Sequence, residues 1–231
     1  MPNDTRAPNP DHIGHRKRLK ARFLKGGADA LADYELLELL LFLAVPRRDM
    51  RATAKVLMRK FGSFAGVINA PADQLEKING VAESVIVALR TAQASAVHLL
   101  RSELAGRPVL GSWQKVVDYL KADMAWRAEE RVRIIYLNQK NVLIADELDE
   151  RGTINQSAVY PREVARRALE LRAAAVILVH NHPSGDPTPS AADIELTRAV
   201  RDALKAVDVA LHDHVVVARD GVASLRSLGK L

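Results

Sequence analysis

The sequence predicts a small all-helical module followed by an α/β domain of two or three layers. Three observations carry this. From Arg16 to about Arg101 the segments between Gly and Pro breaks all have helical periodicity. After Gly106-Arg107-Pro108 the composition changes, and two β-rich runs, Arg131–Leu137 and Val142–Glu147, flank the turn signal Asn138-Gln139-Lys140-Asn141. Further on, the continuous apolar run Ala174–Val179 reads as a buried central strand set among helices. These breaks divide the chain into a disordered leader (1–12), a helical domain (13–106) and an α/β domain (107–231).

Each element follows from its local residues. The leader has three prolines and no apolar pattern. Asp33 is placed to cap a helix over Tyr34–Ala44, with Pro46 beyond its end. A second helix spans Met50–Phe61 and stops at Gly62, and a short one covers Ser63–Asn69. Pro71 opens another short helix that Asn79-Gly80 ends, and a long helix then runs from Ala82 to about Leu104. Trp113–Ala122 reads as a further helix ahead of the hairpin. Pro161 fits a helical first turn, with Val164, Ala168 and Leu171 following at helical spacing. Ser190 caps a helix to about Val207, and Val209–Ala218 is a strand. Residues 161–231 contain no Phe, Tyr or Trp, so this core is aliphatic and offers no stacking platform for bases.

Composition narrows the function. The 231 residues are 48% hydrophobic and 27% charged, as in an ordinary soluble globular protein. The absence of cysteine removes disulfides, thiolate metal sites, iron–sulfur clusters and cysteine nucleophiles. The longest apolar run, Leu39–Pro46, is too short to span a membrane, and the polar, Pro-rich start is no secretory signal. A cytoplasmic protein with no membrane partner is expected. The net charge is +6, and residues 1–106 carry 16 Lys and Arg against 11 Asp and Glu. Six of those cations lie in His15–Lys25, which holds no acid. Such a block suits an anionic partner, nucleic acid above all; its plainer reading is a solvated helix face.

The densest constellation is His180-Asn181-His182-Pro183-Ser184-Gly185 followed by Ser190 and Asp193. Two histidines two apart at a strand end project to one side. Asp193 shares a helix face with Leu196, Val200 and Leu204, where an unpaired carboxylate would be costly. Two imidazoles and a carboxylate converging there suit Zn²⁺ with a fourth position open to water, the catalytic pattern. The metal-activated water needs a base. Glu147 or Glu150 could reach over the metal, and Glu147, still within the strand, is the better placed. Ser190 could donate a hydrogen bond to an oxyanion, and it is equally suited to capping its helix. A lone His-x-His is weak evidence, and His212-Asp213-His214 repeats the spacing. That pair sits within an apolar strand without a Ser-x-x-Asp helix start behind it, so it reads as strand residues, hydrogen-bonded to the site or directly ligating.

The pattern Glu147, His180-x-His182, seven residues, Ser190, two residues, Asp193 resembles the JAMM (MPN-plus) metalloprotease motif at every position. Gly152-Thr153-Ile154-Asn155-Gln156 and His180–Gly185 resemble the signature of the RadC-like (UPF0758) branch, and the similarity covers nearly the whole chain. The resemblance implies a cytidine-deaminase-like α/β/α domain with Zn²⁺ on His180, His182 and Asp193. It also implies Glu147 as general acid/base, Ser190 as oxyanion donor, and cleavage of a peptide or isopeptide bond in a peptide or protein substrate. In the helical half, Leu75, Ile78, Gly80-Val81-Ala82, Val85 and Leu89 are similar to a helix–hairpin–helix, which grips a DNA phosphate through backbone N–H groups. Ala82 stands where that motif has its second glycine. A zinc metallopeptidase with non-specific DNA contact through its N-terminal half is the leading expectation. The alternatives are a DNA-binding repair or recombination accessory protein and a zinc hydrolase acting on nucleic acid; the Cys-x-x-Cys of zinc deaminases is impossible here.

Overall fold

A computed structural model of the chain describes residues 14–104, 106–149 and 159–231. The expected leader, Glu150 and the Gly152–Gln156 stretch lie outside the described residues. The chain divides into two units, Met1–Ala94 and Ser95–Leu231. The division falls earlier than the composition break at 106, because Val97, Leu100 and Leu104 pack into the core of the second unit.

The first unit is helical: α1 (His15–Gly26), α2 (Asp33–Ala44), α3 (Arg51–Phe61), α4 (Phe64–Ile68), α5 (Ala72–Glu76) and the first part of α6 (Glu83–Ser102). Leu37, Leu41, Met50, Leu57, Leu75, Val85 and Leu89 are wholly buried in its core. Asp33 is the first residue of α2 rather than its cap; Glu35 instead reaches back to the Ala32 N–H at 3.1 Å. Ser63 caps α4 by accepting from the Gly66 N–H at 3.0 Å. Between α5 and α6 the chain turns through Gly80 at φ +91°, and a Cβ there would stand 2.9 Å from Thr53 Oγ1, so only glycine fits. The basic α1 is not uniformly free. Arg16 donates to the carbonyls of Val45 at 2.9 Å and Arg48 at 2.8 Å and to that of Pro46, and its guanidinium lies 3.9 Å from the Phe42 ring centre. It secures the end of α2, whereas Lys17, Lys20 and Lys25 are exposed.

The second unit is a three-layer α/β/α domain. Its sheet has the order β2-β1-β3-β4-β5, built from β1 (Val132–Leu137), β2 (Leu143–Asp149), β3 (Ala175–Asn181), β4 (Ala210–Ala218) and β5 (Gly221–Ser224). Only β3 and β4 are parallel. Asn138 makes the β1–β2 turn, its Oδ1 accepting from the N–H groups of Lys140 and Val142. Strand alternation assigns the faces. Ile135, Leu137, Ile177, Val179, Val215 and Val217 pack against α7 (Trp113–Met124). Ile134, Tyr136, Val176, Leu178 and Leu211 pack on the other side, against α8 (Pro161–Glu170) and α9 (Ala191–Lys205). Covered on both faces, β3 is buried along its whole length, as its apolar run requires. The edge strand β5 has no counterpart in the sequence reading; its four residues carry no run long enough to mark it. Among the described residues no helix is long and apolar enough to cross a membrane.

Candidate metal centre

His180 lies in β3, and His182 immediately follows its end. His180 shares the α8–α9 face with Leu178, two residues earlier. The chain then loops through Pro183–Pro189 to the first turn of α9. Ser190 caps that helix in a reciprocal capping box: its Oγ accepts from the Asp193 N–H at 3.2 Å, and Asp193 Oδ2 accepts from the Ser190 N–H at 2.6 Å and Oγ–H at 2.7 Å. Asp193 is thereby fixed on the buried face of α9, 8% exposed, in the layer above His180.

Three side chains converge. His180 Nε2 is 2.9 Å from His182 Nε2 and 3.1 Å from Asp193 Oδ1, and His182 Nε2 is 3.5 Å from Asp193 Oδ2. Among the described residues these three form the one group of His, Asp and Glu with atoms close enough to hold a metal ion together. The His182 Nδ1 stands 2.9 Å from the Asp186 carbonyl, which can only accept, so Nδ1 carries the hydrogen and Nε2 of the neutral ring is a bare lone pair. That lone pair faces a second imidazole nitrogen and a carboxylate oxygen, and the donor set of two nitrogens and one oxygen fits a metal ion. Burial raises the Asp193 carboxyl, but the His180 ring beside it, together with the hydrogen bonds from the Ser190 hydroxyl and N–H, outweighs it and holds the carboxyl well below its usual range. It is a carboxylate, and ready to ligate, at neutral pH.

The second histidine pair divides. The β3–β4 register shifts so that Val176 faces Leu211 while Ile177 faces Asp213, which leaves His212 as an extra residue, bulged out of the ladder. His212 Nε2 meets Asn141 Oδ1 at 2.6 Å, at the β1–β2 turn and away from the three converging groups. His214 is opposite Leu178, hence on the face of His180, and its Nε2 is 2.8 Å from His180 Nδ1. Burial, with His180 close by, pushes His214 down to about 3, so it is neutral. Its other nitrogen is 2.6 Å from Thr197 Oγ1. Thr197 was not visible as a site residue, although its position four residues after Asp193 puts it on the same helix face.

Glu147 is opposite Ile134, which in turn is opposite Leu178, so it lies on the same face of the sheet as His180 and one two-residue step behind it. Two strand spacings and one such step put the two Cα atoms about 12 Å apart. The Glu147 carboxylate is half-exposed, outside the converging trio, and held by Arg167 of α8, whose Nε is 3.1 Å from both carboxylate oxygens. Arg167 was not singled out from sequence; one cation in the run Arg162, Arg166, Arg167 carries no mark of its partner. The rim of the site is pinned by Asn181, whose Oδ1 accepts from the Arg131 N–H at 2.8 Å. Arg219 holds the loop on the other side, donating to the Ser184 carbonyl at 2.9 Å.

Residues 110–230 match the family model of the RadC-like JAB domain. A UPF0758 protein of Ruegeria pomeroyi is 50% identical over 223 residues, covering 96% of this chain and the whole of that relative.

Proposed function

The chain belongs to the RadC (UPF0758) family of JAB-domain proteins, and from that premise we propose that it is a zinc hydrolase of the JAMM type that cleaves a peptide or isopeptide bond. The convergence of His180, His182 and Asp193 on one point is the observation that carries this reading. Those three residues would hold the zinc ion. When bound, zinc supplies a Lewis acid that brings the pKa of a coordinated water to about 7 and polarises a carbonyl. Glu147 is the base that takes the proton and returns it to the departing amine; its place on the same sheet face as His180, and outside the ligand trio, suits that role. Arg167 holds the Glu147 carboxylate on the α8 side of the site. Ser190 orients Asp193 and, when its hydroxyl turns from Oδ2 to substrate, donates to the developing oxyanion. The test is hydrolysis of peptide and isopeptide libraries by zinc-loaded protein. Glu147→Gln is expected to fold and keep zinc while losing at least ~10²-fold in rate. Undiminished hydrolysis in that variant would remove Glu147 from the mechanism.

We also propose non-specific DNA contact through the N-terminal half. The exposed lysines of α1 and the glycine turn that leads into α6 support it.

A further inference from the structure

We propose that His214 and Thr197 are positioning residues that fix the hydrogen of His180 on Nδ1 and so leave its Nε2 bare for a metal ion; this rests on the metal reading above. The order of hydrogens is set from the far end of a chain of contacts. Thr197 Oγ1 is 2.5 Å from the carbonyl oxygen of Asp193, which can only accept, so the threonine hydroxyl donates there. Turned the other way, the hydroxyl would set its own lone pairs against those of the carbonyl at the same short distance. With its single hydrogen committed, Thr197 Oγ1 accepts, and His214 Nδ1 at 2.6 Å must donate to it. A neutral ring with its hydrogen on Nδ1 has none on Nε2, so His214 Nε2 accepts from His180 Nδ1 at 2.8 Å. His180 is left with a lone pair on Nε2, facing His182 and Asp193.

The chain begins on the backbone of Asp193 and ends on His180, so two of the three converging residues are tied through His214 and Thr197. His182 obtains the same tautomer directly from the Asp186 carbonyl. The reverse order, hydroxyl to His214 and His214 to His180, would place a hydrogen on His180 Nε2 and block it. Outer partners of this kind commonly set metal affinity by 10- to 100-fold, that is, by roughly one to two powers of ten. His214 and Thr197 are both wholly buried, so neither relies on solvent to keep its orientation.

Two measurements on the full chain test this. In metal-free, ¹⁵N-histidine-labelled protein in alkaline buffer, long-range ¹H–¹⁵N correlations are expected to show His180 with its hydrogen on Nδ1; a hydrogen on Nε2 would overturn the proposal without any variant. Zinc affinity is then measured by competition with a chromophoric chelator. Thr197→Val, nearly the same shape, and His214→Leu are expected to bind zinc roughly 10- to 100-fold more weakly than the unaltered chain. His214→Gln, which restores an acceptor toward His180, is expected to recover part of the loss. Equal zinc affinity in all four proteins would overturn the proposal and leave the metal reading standing. An unaltered chain that takes up no zinc would overturn the metal reading itself.

Discussion

Ser190 has its hydroxyl committed twice, as donor to Asp193 Oδ2 and acceptor from the Asp193 N–H. Ser190→Ala is therefore expected to lower stability by about 1 kcal/mol through the lost cap. It should also weaken zinc binding, because Asp193 loses a partner that orients it. Thermal unfolding and chelator competition read the two effects separately, and a change in neither would mean that the cap and the site are independent. At this scale the sequence was informative wherever a function is written as spacing. His180, His182, Ser190 and Asp193 are brought together as their intervals require, because strand alternation and helix periodicity are short-range rules. The division of labour between His212 and His214 was not legible. It depends on a bulge in β4, which comes from pairing with a strand more than thirty residues away. The same holds for Thr197, whose importance lies in what it touches across the layer.

Elements were legible to within a few residues where breakers mark them, as at Gly62, Gly80 and Pro161. What the local pattern could not show is burial imposed by a distant element. Arg133 in β1 and Asp146 in β2 read as the polar residues of a hairpin, but α7 covers that face. Arg133 is 7% exposed there, paired with Asp123 and Asp146 and in contact with Tyr119. The Tyr119 hydroxyl donates to Asp146, and burial raises its pKa above the ordinary tyrosine range. Removing one charge from such a buried network strands its partner. Asp146→Asn is expected to destabilise the protein by about 3 kcal/mol in denaturant unfolding, the lower end of the cost of breaking a buried pair. A loss below about 1 kcal/mol, the scale of an exposed pair, would show that water reaches the network.

The whole molecule is asymmetric in charge, with most of its excess positive charge in residues 1–106. The basic block was legible as a block, but its individual roles were not: Arg16 serves the carbonyls at the end of α2, whereas Lys17, Lys20 and Lys25 are exposed and are the cations that the proposed DNA contact would use. DNA binding by the full chain is expected to weaken steeply with salt, each phosphate contact adding about −0.9 to the slope of log K against log salt on duplex DNA. Replacing the three lysines together by alanine should flatten that slope. No binding at low salt, or binding indifferent to salt and to these lysines, would make the helical half a protein-interaction module instead.

The fold class was legible at this scale because the first part of the chain carries helical periodicity alone, whereas the second alternates strand and helical periodicity. The limit between the units was less so, since α6 continues past it and only packing shows where one core ends. The candidate metal centre lies wholly within the second unit, and whether it binds zinc is the point on which the functional reading turns. The most direct measurement is zinc content per chain after zinc loading and desalting, for the unaltered protein, His182→Ala and His212→Ala. One zinc per chain in the unaltered protein and in His212→Ala, with loss in His182→Ala, is the expected result. No zinc in the unaltered protein, or equal loss in the two variants, would contradict it.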